Sequence, residues 1–210
     1  MSTAQVAQAL NRSRAFLAAS NLNPGVLRGE RPSKAIALIN PHQQDVKDYL
    51  GAAFRSPDRT NNPLMLFSRF KPEQVRLVGD QVRTRGRMTF REGDDRALRV
   101  TADVTFVYPL ARSAGGDEVA RTIVRREVVV DWDNPTKVLT QPGTLSLVSY
   151  PVHTANGGCG PVTGYFAPQF SAELAVFGDG PRVDSYDRST PMTERLRQPQ
   201  RQECETATRS

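Results

Sequence analysis

The chain has 210 residues, 38% hydrophobic and 24% charged, with 15 glycines, 15 prolines and a formal charge of +6. That length suits one domain with a sizeable core, and an apolar share below the usual ~45% assigns much of the chain to loops and loose ends. The longest uncharged stretch, Val138 to Ala172, is broken by Pro142, Gly143, Pro151, Gly157, Gly158, Gly160, Pro161 and Pro168, which excludes a lipid-facing helix and with it a transmembrane segment.

Helical signals come first along the chain. Val6, Leu10, Ser13 and Leu17 recur at helical spacing, with Ala9 and Phe16 alongside, and predict an amphipathic helix over 3–20. The run from Asn21 to Gly25 stops it. A short helix is expected over 33–39. Asn40, Pro41 and Gln43 then read as an N-cap, a first-turn proline and a capping-box glutamine. They open a helix over 41–54 whose Val46, Tyr49, Leu50 and Ala53 share one face, with His42 an exposed first-turn residue.

The hydrophobic period then changes from 3.6 to 2. Val75 and Leu77 predict a short strand over 74–78, and Gly79-Asp80 a turn. Over 81–91, Val82, Thr84, Gly86, Met88 and Phe90 alternate with Arg83, Arg85, Arg87 and Thr89. Over 96–109, Leu98, Val100, Ala102, Val104, Phe106 and Tyr108 alternate with Arg99, Thr101, Asp103 and Thr105. A valine-rich strand over 118–132 loses its alternation at Arg125 and Arg126, where a bulge is expected to restore the faces. A last strand is predicted over 144–153. Residues 179–210 are polar, with Pro181, Pro191 and Pro199, and read as an extended tail with little secondary structure. Helices followed by a meander of about four long antiparallel strands give an α+β class: a single domain over 1–178, with N-terminal helices packed on one face of a curved sheet.

The order of elements over roughly residues 3 to 153 resembles the nuclear transport factor 2-like, cystatin-type cone, in which a sheet wraps a long helix and leaves a pocket at its mouth. The segments Asp103 to Pro109, Val119 to Glu127 and Val183 to Ser189, with the tail near Cys204, are similar to actinobacterial proteins of no known activity whose soluble part is exported or follows a single membrane anchor. That second resemblance implies an extracytoplasmic place and a disulfide. The residues point the same way: neither Cys159 nor Cys204 sits in an apolar run, where a free cysteine is usually buried. An oxidised pair would tether the tail and contribute about 4 kcal/mol. Met1 to Leu10, however, has neither the basic nor the apolar part of an export signal. A cytoplasmic protein with two unpaired thiols therefore stands as the alternative, beside the soluble part of a longer chain or an atypical gene start.

Chemistry-bearing motifs are sparse, and no catalytic residue, metal site or cofactor is assigned. His42 and His153 are the only histidines. His153 lies near Cys159, but a disulfide-bonded cysteine offers no thiolate for nucleophilic attack. The resembled superfamily includes isomerases and cyclases with an acidic base inside the cone. Asp103 points away from the apolar stripe by its parity, and Asp131 would need a bulge to point inward. Arginines form the most extended pattern: Arg83, Arg85 and Arg87 share a strand face, which Arg99 and either Arg121 or Arg125 could join, with Asp103 and Glu127 as counter-charges. Tyr150, Tyr165 and Phe166 are the aromatic candidates for a binding edge.

The expected function is a noncatalytic domain for association with a protein partner or with itself, or for envelope attachment, acting through the sheet and the 150–170 loop. The alternative is small-molecule binding, or isomerase- or dehydratase-like chemistry, in the cone interior. A third reading is a basic protein on an anionic surface, a cell-wall polymer or nucleic acid. Nucleic acid is disfavoured because stacking needs exposed aromatics among the arginines, whereas Phe90, Phe106 and Tyr108 fall by parity on the buried stripe.

Overall fold

Helix α1 (Thr3–Asn21) opens with a capping box in which the Ser2 hydroxyl accepts from the Gln5 amide and the Gln5 side chain accepts from the Ser2 amide. It buries Ala9, Ser13, Phe16 and Leu17 and packs across the strand Leu98–Arg112. Short helices α2 (Pro24–Leu27) and α3 (Ser33–Ile36) follow, then α4 (Gln44–Arg55). The computed structural model describes residues 2–79, 81–158, 160–171, 182–184, 186–189, 192 and 206–207.

Six antiparallel strands make the sheet: β1 (Val75–Leu77), β2 (Arg83–Glu92), β3 (Leu98–Arg112), β4 (Ala120–Trp132), β5 (Ser146–Ser149) and β6 (Val152–Ala155). They fill four positions, because β1 and β2 pair with different stretches of β3, and β5 and β6 with different stretches of β4. Two long strands, β3 and β4, thus hold the centre. The inner face of the sheet meets Phe16, Leu17, Val46, Leu50 and Phe67 through Val100, Val128 and Val130. A second inner cluster joins Phe70, Phe106, Tyr108, Leu110, Val124, Phe166 and Phe170. The Trp132 indole donates to the Ser13 hydroxyl at 3.1 Å and pins α1 to the end of β4.

The α+β class, the helices-then-sheet order and the parity of β3 agree with the sequence; several details do not. The helix expected over 33–39 ends at Ile36 and gives way to a turn and a bridge from Ile39 to Leu145. Asn40 does not cap the next helix, which begins at Gln44, and His42 lies in the exposed turn before it. The Asn40 amide instead donates to Ser146 Oγ and the Leu139 carbonyl, while Gln43 exchanges two bonds with the Leu147 main chain. Long-range pairing to β5 has displaced the local capping box. The strand expected over 144–153 is split into β5 and β6 by Tyr150-Pro151.

No bulge interrupts β4 against β3: the register runs unbroken from Leu98↔Trp132 to Leu110↔Ala120. The only shift in β4 pairing among the described strands lies between Val129 and Val130, opposite β5. Arg125 and Arg126 therefore keep their parity and point to opposite faces, and both are buried, each 1% exposed. The described residues of the tail carry little secondary structure, as expected. Arg182–Val183 (β7) pairs in parallel with Thr206–Ala207 (β8), and Tyr186 packs on Val107, Ile123 and Ala155 of the outer face. Cys159 and Cys204 lie outside the described residues, so the expected disulfide does as well.

Candidate interaction surface

On the inner face, Arg126 ties three elements together. Its Nε donates to Asn21 Oδ1 at 2.8 Å, its two terminal nitrogens to the Leu64 and Met65 carbonyls at 2.8 and 2.7 Å and to Ser68 Oγ at 3.2 Å. All of these partners are neutral oxygens. Burial pulls its pKa down from the ordinary arginine value to about 10, opposed by the Tyr108 and Tyr49 hydroxyls. The same burial raises the pKa of both tyrosines. The guanidinium is thus committed to holding the end of α1 and the 63–65 turn against β4.

The outer face carries an ion-paired centre. Asp103, 5% exposed, accepts from Arg125 Nε at 2.9 Å and from a terminal nitrogen at 3.0 Å, a bidentate pair. Arg188 from the tail reaches the same carboxylate at 3.0 Å and donates to Thr105 Oγ1 and the Arg85 carbonyl. Arg125 also donates to the Asp187 carbonyl. Arg99 forms a second bidentate pair with Asp131, at 2.7 and 2.6 Å, and meets Asp94 at 2.9 Å. The hydrogen bonds that Arg99 donates to Asp131 hold its pKa above the ordinary arginine range. The outer face is therefore solvated at its rim, while Tyr186, Asp187 and Arg188 lie over its centre. Asp131 shares the outer face with Asp103, which leaves neither carboxylate on the inner face of the sheet.

Strand β2 forms that rim. It pairs with β3 from Arg83↔Val107 to Glu92↔Leu98 and has no second neighbour among the described strands. In such a strand every second residue turns its N–H and C=O away from the sheet. Nine of its ten residues are exposed and Met88 is half-buried, so both of its faces meet solvent. Helix α1 crosses β3, and Phe90, expected in the core by parity, is 52% exposed. Phe106 and Tyr108, one strand inward, are buried as expected. At Gly86 the strand lies so close to β3 that a Cβ would stand 2.5 Å from the Asp103 carbonyl oxygen.

Arg83, Arg85 and Arg87 stand together on the outer side of this rim, as their spacing predicted. Among the described residues no carboxylate lies within salt-bridge distance of any of them; Arg85 stacks toward the Tyr186 ring, 6.0 Å from its centroid. Arg99, in contrast, is consumed by Asp131 and Asp94, and Arg121 is exposed at the start of β4.

The aromatic candidates sit elsewhere. Tyr150 packs on Tyr49 of α4 at 5.7 Å. Tyr165 lies over the Arg69 guanidinium at 4.4 Å and accepts a bond from it, and Phe166 is buried against Phe70. His153 is buried across from Arg125. No cluster of His, Cys, Asp and Glu able to hold a metal occurs among the described residues, and none of their helices is long and apolar enough to cross a membrane. What the surface offers chemically, among the described residues, is a strand edge without a neighbour, a row of guanidinium groups with no carboxylate at salt-bridge distance on one side of it and the Phe90 ring on the other.

The buried arginine pair is the feature that sequence reasoning missed. Its only local signal was the blurred alternation at Arg125-Arg126. Comparisons with protein-family models, with curated proteins and with solved structures found no match.

Proposed function

We propose that this chain is a noncatalytic protein-association domain that binds its partner along β2. One observation carries the reading: a ten-residue strand, exposed on both faces, has no strand neighbour on one edge and no carboxylate at salt-bridge distance from Arg83, Arg85 or Arg87 among the described residues. An exposed edge is a template for another strand, and arginine suits partner contacts better than lysine because its fork matches carboxylates. The cone interior supports the alternative of a small-molecule site less well, since the cation that enters it, Arg126, already donates to four protein oxygens.

A photo-crosslinking residue placed at Arg85, and as a control at exposed Lys47 of α4, tests the reading in cells of the native host. A discrete adduct from position 85 and none from position 47 is expected. No adduct at 85, or the same adducts from both positions, would overturn it. An extracytoplasmic site of action forms part of the proposal and rests on the sequence resemblance and on Cys159 and Cys204. Intact mass after alkylation without reductant should show no added alkyl group, and two would overturn that part.

A further inference from the structure

We propose that the partner of β2 is an extended acidic segment of another protein, added to the sheet as an antiparallel strand with carboxylates at alternate positions. This rests on the association reading above and names its ligand class. Side chains of a strand return to the same face every second residue, so carboxylates at i, i+2 and i+4 of a guest strand stand opposite Arg83, Arg85 and Arg87. Directly opposed residues lie close enough for opposite charges to pair. Intervening guest residues fall on the inner side, beside half-buried Met88 and exposed Phe90, where apolar side chains gain contact. The match is thus acidic on one face and apolar on the other.

A second copy of the chain does not fit. In an antiparallel pairing of β2 with itself, the registers that overlap most of the strand set an arginine against an arginine: Arg87 meets Arg87 and Arg83 meets Arg91 in one, and Arg85 meets Arg87 in the next. Like charges directly opposed are destabilising. The row that rejects self-pairing is the one that accepts a carboxylate. A nucleic acid has phosphates for the arginines but no main-chain groups for the open edge, and Phe90 lies on the face away from Arg83, Arg85 and Arg87.

The test is a titration of the full chain with a blocked ten-residue peptide of alternating Glu and Val, followed by the amide shifts of residues 83–92. The expected result is saturable shifts confined to β2 and its neighbours. Affinity should fall about tenfold or more for the Gln/Val peptide, since three opposed charge pairs are lost. It should be abolished when the edge-facing peptide nitrogens are methylated. Arg85→Glu with Arg87→Glu should reject the Glu/Val peptide and accept a Lys/Val peptide. Equal binding of the methylated peptide, or of oligo-dT with equal affinity, would overturn strand addition in favour of polyanion attraction. If the Glu/Val peptide fails while the position-85 adduct persists, only the acidic-strand assignment falls; if both fail, the association reading falls with it.

Discussion

Replacing Arg125 by leucine should cost about 3 kcal/mol, because it strands a carboxylate in the outer-face centre. Asp103 is 5% exposed and takes two of its bonds from Arg125, with side-chain exposures of 2% and 6% for the pair. Removing one partner of a buried pair costs about 3–5 kcal/mol. The low end applies because Arg188 still reaches Asp103 at 3.0 Å. Removing both charges is different. In Arg125→Leu with Asp103→Leu no charge of the pair is left buried, and Arg188, whose side chain is 18% exposed, can turn to solvent. The double variant should lie within about 1 kcal/mol of the parent, so the coupling exceeds about 2 kcal/mol by whatever Asp103→Leu alone costs. Urea unfolding of the four proteins measures this, and the single variant should melt about 6–12 °C below the parent. A double variant as unstable as Arg125→Leu, or a single variant costing under about 1 kcal/mol, would refute the pairing as drawn.

At Arg126 the less conservative change should be the milder one. Arg126→Met orphans the Leu64 and Met65 carbonyls, about 1–3 kcal/mol each, but relieves a buried charge whose pKa burial pulls down to about 10, worth about 3 kcal/mol; the net loss by urea unfolding should be about 1 kcal/mol. Arg126→Lys keeps the charge without the reach to four oxygens and should cost about 3 kcal/mol, so the opposite order would contradict the hub. Gly86→Val should lose about 2–3 kcal/mol because the new Cβ meets the Asp103 oxygen at 2.5 Å and Val104 Cα at 2.7 Å. Thr84→Val, exposed on the same strand, should change stability by less than about 0.5 kcal/mol. Glu127 has its pKa raised by burial and by Asp103, against Arg125 and Arg87. The folded chain therefore holds that proton to higher pH than the unfolded chain. The stability this gives is present below the ordinary glutamate pKa and is lost as pH rises through the folded value. Glu127→Gln should remove that part of the decline and raise Tm near neutrality; an unchanged profile would contradict the assignment.

The strongly periodic elements were legible in the sequence because their signals are local. The β3 alternation gave the face of every residue from Leu98 to Tyr108, and the odd parity of β2 put Arg83, Arg85 and Arg87 on one side. What was not legible depends on partners far along the chain. Arginine ordinarily marks an outward face, yet Arg126 is buried because Asn21, Leu64, Met65 and Ser68 supply oxygens from elsewhere in the fold. Asn40 and Gln43 form a good local cap, but β5 offers their side chains better-placed main-chain and hydroxyl partners. Phe90 has core parity and no core above it, since no period in the sequence says how far a helix reaches across a sheet. The candidate surface was therefore half visible: its arginines could be read, while its open edge and two-sided exposure could not.

The openness of β2 can be measured residue by residue through amide hydrogen exchange in the free chain. Alternate amides between Arg83 and Glu92 should be protected by β3, and the intervening ones should exchange almost as fast as in an unstructured peptide. Adding the Glu/Val peptide should slow that second set and leave the first unchanged. Uniform protection of all the β2 amides in the free chain would mean that the edge is already occupied, and would contradict a binding function for it.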